Sequence, residues 1–208
     1  MVALPHDRER KFSVQEYLRI ERAADFKSEY YCGRIYAMAG ASPRHTLITA
    51  NVIAVLHRLI EGSGCRVYSN DLRVRSTPEG LYTYPDATVI CGSLMFHKGT
   101  DDVVTNPTVV IEVLSPSTET YDRGLKADEY RSIDSLNAYV LIWQDRAQVE
   151  VQLRTPANSW LSTTIAGLDN SAAIEPLNCS ISATEIYAGV EFGTPVSGEE
   201  DRDGNAAQ

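Results

Sequence analysis

The run Thr108–Thr118, TVVIEVLSPST, puts an acid where charge is costly. Val109, Val110, Ile111, Val113 and Leu114 make it almost continuously apolar, the composition of a strand covered on both faces of a sheet, so Glu112 needs a partner. A divalent cation would supply one. A second strand-like run, YTYPDATVI from Tyr82 to Ile90, is rich in aromatic and β-branched residues and carries Asp86. The stretch ETYDRGLKADEY reads as a helix that brings Lys126 to the same strand ends. Lys126, Tyr130 and Ile133 share one helical stripe, so the lysine lies on a face that packs against the sheet. Plainer readings exist for all three: a lysine whose stem covers apolar surface while its ammonium reaches water, a strand-end turn aspartate, and a salt-bridged glutamate.

The 208 residues, 43% hydrophobic, suit one globular domain over residues 1–192, followed by a disordered Gly-, Ser- and acid-rich tail over 193–208. The N-terminus has no apolar run after its charged residues, and no segment approaches bilayer length. A cytoplasmic chain without a membrane partner is therefore expected. Cys32, Cys65, Cys91 and Cys179 are widely spaced with no C-x-x-C pair, which favours reduced thiols over a disulfide framework or a zinc site. The net charge of −9 argues against a general nucleic-acid coat, and the EEDRD run near the C-terminus accounts for only part of it. A nuclease is not excluded. Buried metal-binding carboxylates count toward that total, and Arg73, Arg75, Arg123 and Arg131 are available to grip a few phosphates. Gly-rich phosphate loops, nucleophile elbows and H-E-x-x-H patterns are absent.

Along the chain, Ser13 and Glu16 have capping-box spacing and start an outer helix that runs to about Ala24. SEYYCGRIYAMAG reads as a hairpin about Gly33 with Glu29 at its entrance, either a surface acid beside Lys27 or Arg34 or an accessory site residue. Ser42 and Pro43 open a helix closed by Gly62, whose stripe of His45, Ile48, Val52, Leu56 and Leu59 faces inward. His45 stands at the N-terminal end of that face, as a packing residue or a neighbour of the site. CRVYSNDLRVRS from Cys65 should pair antiparallel with the Asp86 strand, placing Asp71 and Arg73 on one face as an exposed charge pair or an accessory contact. Residues 92–107 read as a long loop. Two strands within 138–154 meet near 144–147, Ser159–Ile165 adds another, and Ser182–Tyr187 forms a short terminal helix capped by Ser182 or Thr184.

Over roughly residues 12–190, several of these segments resemble the Uma-two family of restriction endonucleases. The features that carry the likeness are the hairpin, the His45 helix, Tyr84-Pro85-Asp86, the run from Ile111 to Thr118, and Tyr121-Asp122-Arg123-Gly124 through Lys126 and Tyr130. The resemblance implies the PD-(D/E)XK nuclease superfamily, with an α/β fold in which helices flank a central mixed β-sheet. It further implies metal-dependent hydrolysis of phosphodiester bonds in DNA, with Asp86, Glu112 and Lys126 catalytic. Mg²⁺, or Mn²⁺ in its place, would be held by Asp86, Glu112 and the backbone carbonyl of Val113. His45, Glu29 and Asp71 are accessory candidates, DNA is the expected partner, and a homodimer is compatible with the class. In the superfamily pattern the lysine lies two residues after the second acid, where this chain has Leu114. Lys126, fourteen positions after Glu112, resembles a lysine relocated to the helix. The competing reading is a nuclease-fold module that binds nucleic acid or protein without hydrolysing, for which the acidic surface speaks.

Overall fold

The computed structural model describes the backbone of residues 2–3 and the whole of residues 10–192. The tail expected over 193–208 lies outside the described residues. After a two-residue strand, β1 (Val2–Ala3), helix α1 (Val14–Ala23) starts at a complete capping box: the Glu16 N–H donates to the Ser13 hydroxyl, and the Ser13 N–H to the Glu16 carboxylate at 2.9 Å. The expected hairpin is β2 (Ser28–Tyr31) and β3 (Arg34–Ala37), with positive φ at both Cys32 and Gly33 as a two-residue turn of this hand requires. Helix α2 (Pro43–Leu59) takes Ser42 as its cap and buries Ile48, Val52, Val55 and Leu56.

The next four strands depart from the simple pair expected over 65–76 and 82–90. They are β4 (Cys65–Ser69), β5 (Arg73–Arg75), β6 (Leu81–Thr83) and β7 (Ala87–Cys91); β4 pairs with β7 in one sheet and β5 with β6 in another. Each run breaks where the chain crosses between sheets. In the second crossing Pro85 has no N–H to give a ladder, so Asp86 stands at the mouth of β7 instead of inside a strand. The stretch 92–107 is a loop except for β8 (Val103–Val104), which runs parallel to β5.

Strand β9 (Val109–Leu114) is buried at every position. One helix was expected after it, and two form, α3 (Glu119–Arg123) and α4 (Leu125–Arg131), divided at Gly124. A Cβ at Gly124 would lie 2.9 Å from the Thr120 carbonyl oxygen, so only glycine fits this close approach. Strand β10 (Ala138–Trp143) runs parallel to β9, and β11 (Gln148–Arg154) and β12 (Trp160–Ala166) continue the sheet antiparallel, near the expected bounds. The short hairpin β13 (Ser171–Ile174) and β14 (Cys179–Ser182) was not foreseen, and α5 (Ala183–Ile186) follows it, capped by Ser182.

The strands assemble as two mixed six-stranded sheets, β1-β3-β2-β6-β5-β8 and β12-β11-β10-β9-β7-β4, with the β13–β14 pair beside them. The class is mixed α/β as expected, with a second sheet where one central sheet was foreseen. Alternation along β9 sorts the helices onto its two faces. Val109, Ile111 and Val113 pack with Ile48, Val52 and Leu56 of α2, whereas Val110 and Leu114 pack with Ala127 and Tyr130 of α4. Glu112 falls on the α4 face.

One expectation is overturned. Cys65 and Cys91 are joined by a disulfide, because the antiparallel register of β4 and β7 sets them opposite each other despite 26 residues of separation. Cys32 and Cys179 are free thiols. Among the described residues, no helix is long and apolar enough to cross a membrane.

Candidate functional site

The space between the two sheets collects the chemistry. Strand β2 supplies Glu29, the mouth of β7 supplies Asp86, β9 supplies Glu112, α3 supplies Tyr121 and Asp122, α4 supplies Lys126 and Tyr130, and the first turn of α2 supplies His45. Lys126 is the hub. Its Nζ lies 2.9 Å from Glu112 Oε1, 3.2 Å from Glu29 Oε1 and 3.6 Å from Asp122 Oδ1, and its side chain is only 6% exposed. The second oxygen of Glu29 accepts from the Tyr121 hydroxyl at 2.9 Å, its first accepts from Thr83, and Glu112 accepts from the Tyr130 hydroxyl at 2.8 Å.

Asp86 extends the sheet with its side chain. The β7–β9 ladder ends at the pair Ala87 and Ile111, and two residues on the Val113 N–H donates to Asp86 Oδ2 at 2.7 Å in place of a strand carbonyl. A residue's N–H and C=O leave a strand on the same side, so the Val113 carbonyl opens next to this carboxylate. His45 Nε2 lies 3.2 Å from the same Oδ2. The Asp86 and His45 side chains are 14% and 16% exposed, against 5% for Glu112, so the cluster opens at Asp86 and closes at Lys126.

The electrostatics follow from burial and crowding. Burial pushes the Glu112 carboxyl up to about 8, and the charges of Asp86 and Asp122 add to that rise while Lys126 opposes it. Asp122 is also held above the ordinary carboxylate range, first by burial. Burial pulls Lys126 down, but Glu112 and Glu29 outweigh it and keep the amine charged well above its usual range. For His45, burial is likewise outweighed, by the Asp86 carboxylate and the Val113 backbone, so its imidazole binds a proton more tightly than a free one.

Of the six side chains named from sequence, five meet here and Asp71 does not. Asp71 lies 78% exposed in the turn after β4 and pairs with Lys27 at 2.6 Å. Three residues of the cluster were missed as site residues. Asp122 and Lys126 stand four apart, the spacing of a helical ion pair, which was the legible signal. Tyr121 adjoins Asp122, and Tyr130 was read for packing alone. The arginines read as phosphate grips are engaged elsewhere: Arg73 with Tyr84 and Asp102, Arg75 with His97, Arg123 with Glu150, and Arg131 with Gln152.

Comparison with known proteins defines first a fold and then a family. The chain shares its architecture with a crystal structure described as "a putative nuclease belonging to DUF820" from Anabaena variabilis ATCC 29413. The TM-score is 0.68 at 18% identity, covering 86% of this chain and 99% of that one. The profile of Uma2, described as "Putative restriction endonuclease", matches residues 14–184, and the chain belongs to that family. It is also 31% identical over 182 residues to uncharacterized protein slr1290 of Synechocystis sp. (strain ATCC 27184 / PCC 6803 / Kazusa), covering 88% of this chain and 94% of the relative. It is 35% identical over 155 residues to uncharacterized protein sll1609 of the same organism, covering 74% and 88%.

Proposed function

We propose that this chain hydrolyses phosphodiester bonds in DNA with magnesium, or manganese in its place, at the cluster of Asp86, Glu112 and Lys126. One observation carries the reading. Glu29, Glu112 and Asp122 crowd a single buried ammonium, and the charges of Asp86 and Asp122 help to hold the Glu112 carboxyl far above its ordinary range, so that ionising it is costly in a way that a divalent cation would offset. The family's description supports it.

The donor set suits such an ion. Magnesium takes hard oxygen ligands and is commonly bound by one or two carboxylates with waters and a substrate phosphate completing its shell. Asp86, Glu112 and the Val113 carbonyl are enough, without the grouping of three His, Cys, Asp or Glu side chains that is absent among the described residues. Bound there, the ion would polarise the phosphate and lower the pKa of an attacking water. Lys126, held charged by Glu112 and Glu29, stabilises negative charge as it builds on the phosphate and does not serve as the base. His45 orients Asp86, and Glu29 with Asp122 fixes the ammonium.

Single-turnover cleavage of duplex DNA with saturating magnesium tests this. Wild-type protein should cleave. Asp86→Asn should lose metal affinity, and Lys126→Ala should keep it while losing about two orders of magnitude in rate, about 3 kcal/mol of barrier. Full activity in Lys126→Ala would remove the lysine from the mechanism. A second reading, a binding module without hydrolysis, draws on the Lys126–Glu112 and Lys126–Glu29 contacts at 2.9 and 3.2 Å, which pair the closed end of the cluster without an ion. DNA bound but uncut in both metals would select that reading.

A further inference from the structure

A cavity of about 600 Å³ opens beside the cluster, where the first turn of α2 meets the turns after β9 and β10 and the segment beyond α5. Its position ties it to the site. His45 lies on the same turn of α2, the lining residue Pro116 comes four residues after Glu112, and the lining residue Gln144 donates its backbone N–H to the Leu114 carbonyl at 3.2 Å. Pro43, Leu47, Pro116 and Val190 give it apolar walls, and Leu47 is 37% exposed. The polar groups are few. Gln144 is 9% exposed; its Oε1 accepts from the Ser42 hydroxyl at 2.6 Å, while its Nε2 has no hydrogen-bond acceptor among the described residues. Glu191 and Asp145 add carboxylates, Asp145 paired with Arg146 at 2.9 Å, and Arg44 adds a guanidinium.

We propose that this cavity is a subsite for a nucleobase unstacked from the substrate strand, guanine above the others. The inference rests on the nuclease reading of the adjoining cluster. The volume falls in the range of small-molecule sites, and apolar walls with a few convergent polar groups are the usual construction of such sites. Two carboxylates against the one guanidinium of Arg44 leave the lining net negative, a poor seat for the sugar–phosphate backbone. The carboxylates accept from the amino and imino groups of a base instead. Guanine offers adjacent N1–H and N2–H donors to a carboxylate and an O6 acceptor to the unpartnered Gln144 Nε2, whereas thymine presents two carbonyls and one N–H. Those edges are reached in a pocket only by a base taken out of the stack. The substrate therefore carries an unpaired nucleotide at or beside the scissile bond, as mismatched, single-stranded or structured DNA does.

Nuclear magnetic resonance on the full chain without metal tests the subsite directly, following the Gln144 side-chain amide and the Leu47 methyls. Deoxyguanosine 5′-monophosphate should shift both saturably and bind roughly tenfold more tightly than thymidine 5′-monophosphate, with inorganic phosphate inert. Leu47→Trp, which fills the cavity from an exposed position, should abolish the shift of the Gln144 amide. Equal responses to both nucleotides, or a comparable response to phosphate, would overturn the proposal, as would an undiminished Gln144 response in Leu47→Trp. A parallel cleavage assay keeps the two readings apart. Cleavage without nucleotide shifts removes the subsite and leaves the nuclease; shifts without cleavage leave the subsite and remove the nuclease.

Discussion

Raising the pH from about 5 to about 8.5 in a metal-free buffer should destabilise this protein, and Glu112 should be the main cause. Its carboxyl titrates at about 8 in the fold against an ordinary 4.5, because burial first, and the neighbouring acids second, disfavour the charged form. A group that binds its proton more tightly folded than unfolded gives stability that is complete below the unfolded value. That stability is lost as pH rises toward the folded value. The window therefore runs from 4.5 to about 8, and the loss across it is on the order of 5 kcal/mol, comparable to the whole stability of many domains. Asp122 and His45, both raised, act in the same direction, while the lowered carboxyls of Glu16 and Asp102 act only at more acid pH. Urea unfolding at several pH values with a chelator present measures this. Glu112→Gln should flatten most of the slope, since the amide keeps a hydrogen-bonding oxygen and cannot ionise. Excess magnesium should restore wild-type stability at the alkaline end by mass action. A wild-type stability that stays level or rises across the window, or an undiminished slope in Glu112→Gln, would falsify the account of a crowded buried carboxylate.

Gly124→Ala should cost roughly 1–3 kcal/mol, because the new Cβ meets the Thr120 carbonyl oxygen at 2.9 Å; thermal unfolding reads the loss, and an unchanged midpoint refutes the close approach. Replacing Cys65 and Cys91 together by serine should lower stability by about 3 kcal/mol through the opened loop, and a dithiol reductant should reproduce most of that loss in the wild type but none in the variant. Under the proposed function, His45→Gln should keep most of the cleavage activity, because His45 Nε2, 3.2 Å from Asp86, is assigned there to orienting that carboxylate and not to proton transfer. A rate loss as large as that of Lys126→Ala, with folding intact, would instead make His45 catalytic.

Much of this was legible because local patterns and tertiary demands agreed. The Ser13 and Ser42 caps, the α2 stripe and the unbroken apolar run of β9 each fix an element through short-range chemistry, and the structure has them near their expected bounds. What was not legible depends on partners far apart in the chain. The division of residues 65–90 between two sheets is decided by which strands find which neighbours, and the local β-prone composition is the same either way. The Cys65–Cys91 bond is a consequence of that register. Glu29 was left open between surface and site because a hairpin acid is usually solvated; only the docking of β2 against β6 buries it beside Lys126. Asp71 reversed in the opposite sense, since the chain turns between β4 and β5 and delivers it to Lys27.

The lysine's place on a helix is a consequence of how β9 is packed. The position two residues after Glu112 shares its face of the sheet, but it is filled by Leu114, fully inside the cluster that includes Trp143 and Leu141. An ammonium there would lose its hydration to apolar neighbours alone. Lys126 reaches the same face from α4, where Asp122 stands one turn back and Glu29 arrives from the other sheet, so its charge is desolvated beside acids that compensate it. The ammonium is then positioned by the junction of α3 and α4 at Gly124 and by the docking of β2, not by the strand that carries Glu112. Changes at that junction should therefore move the lysine without moving Asp86 or Glu112. Under the proposed function, turnover and metal affinity should then be separable by mutation, as they would not be if acid and lysine shared one strand.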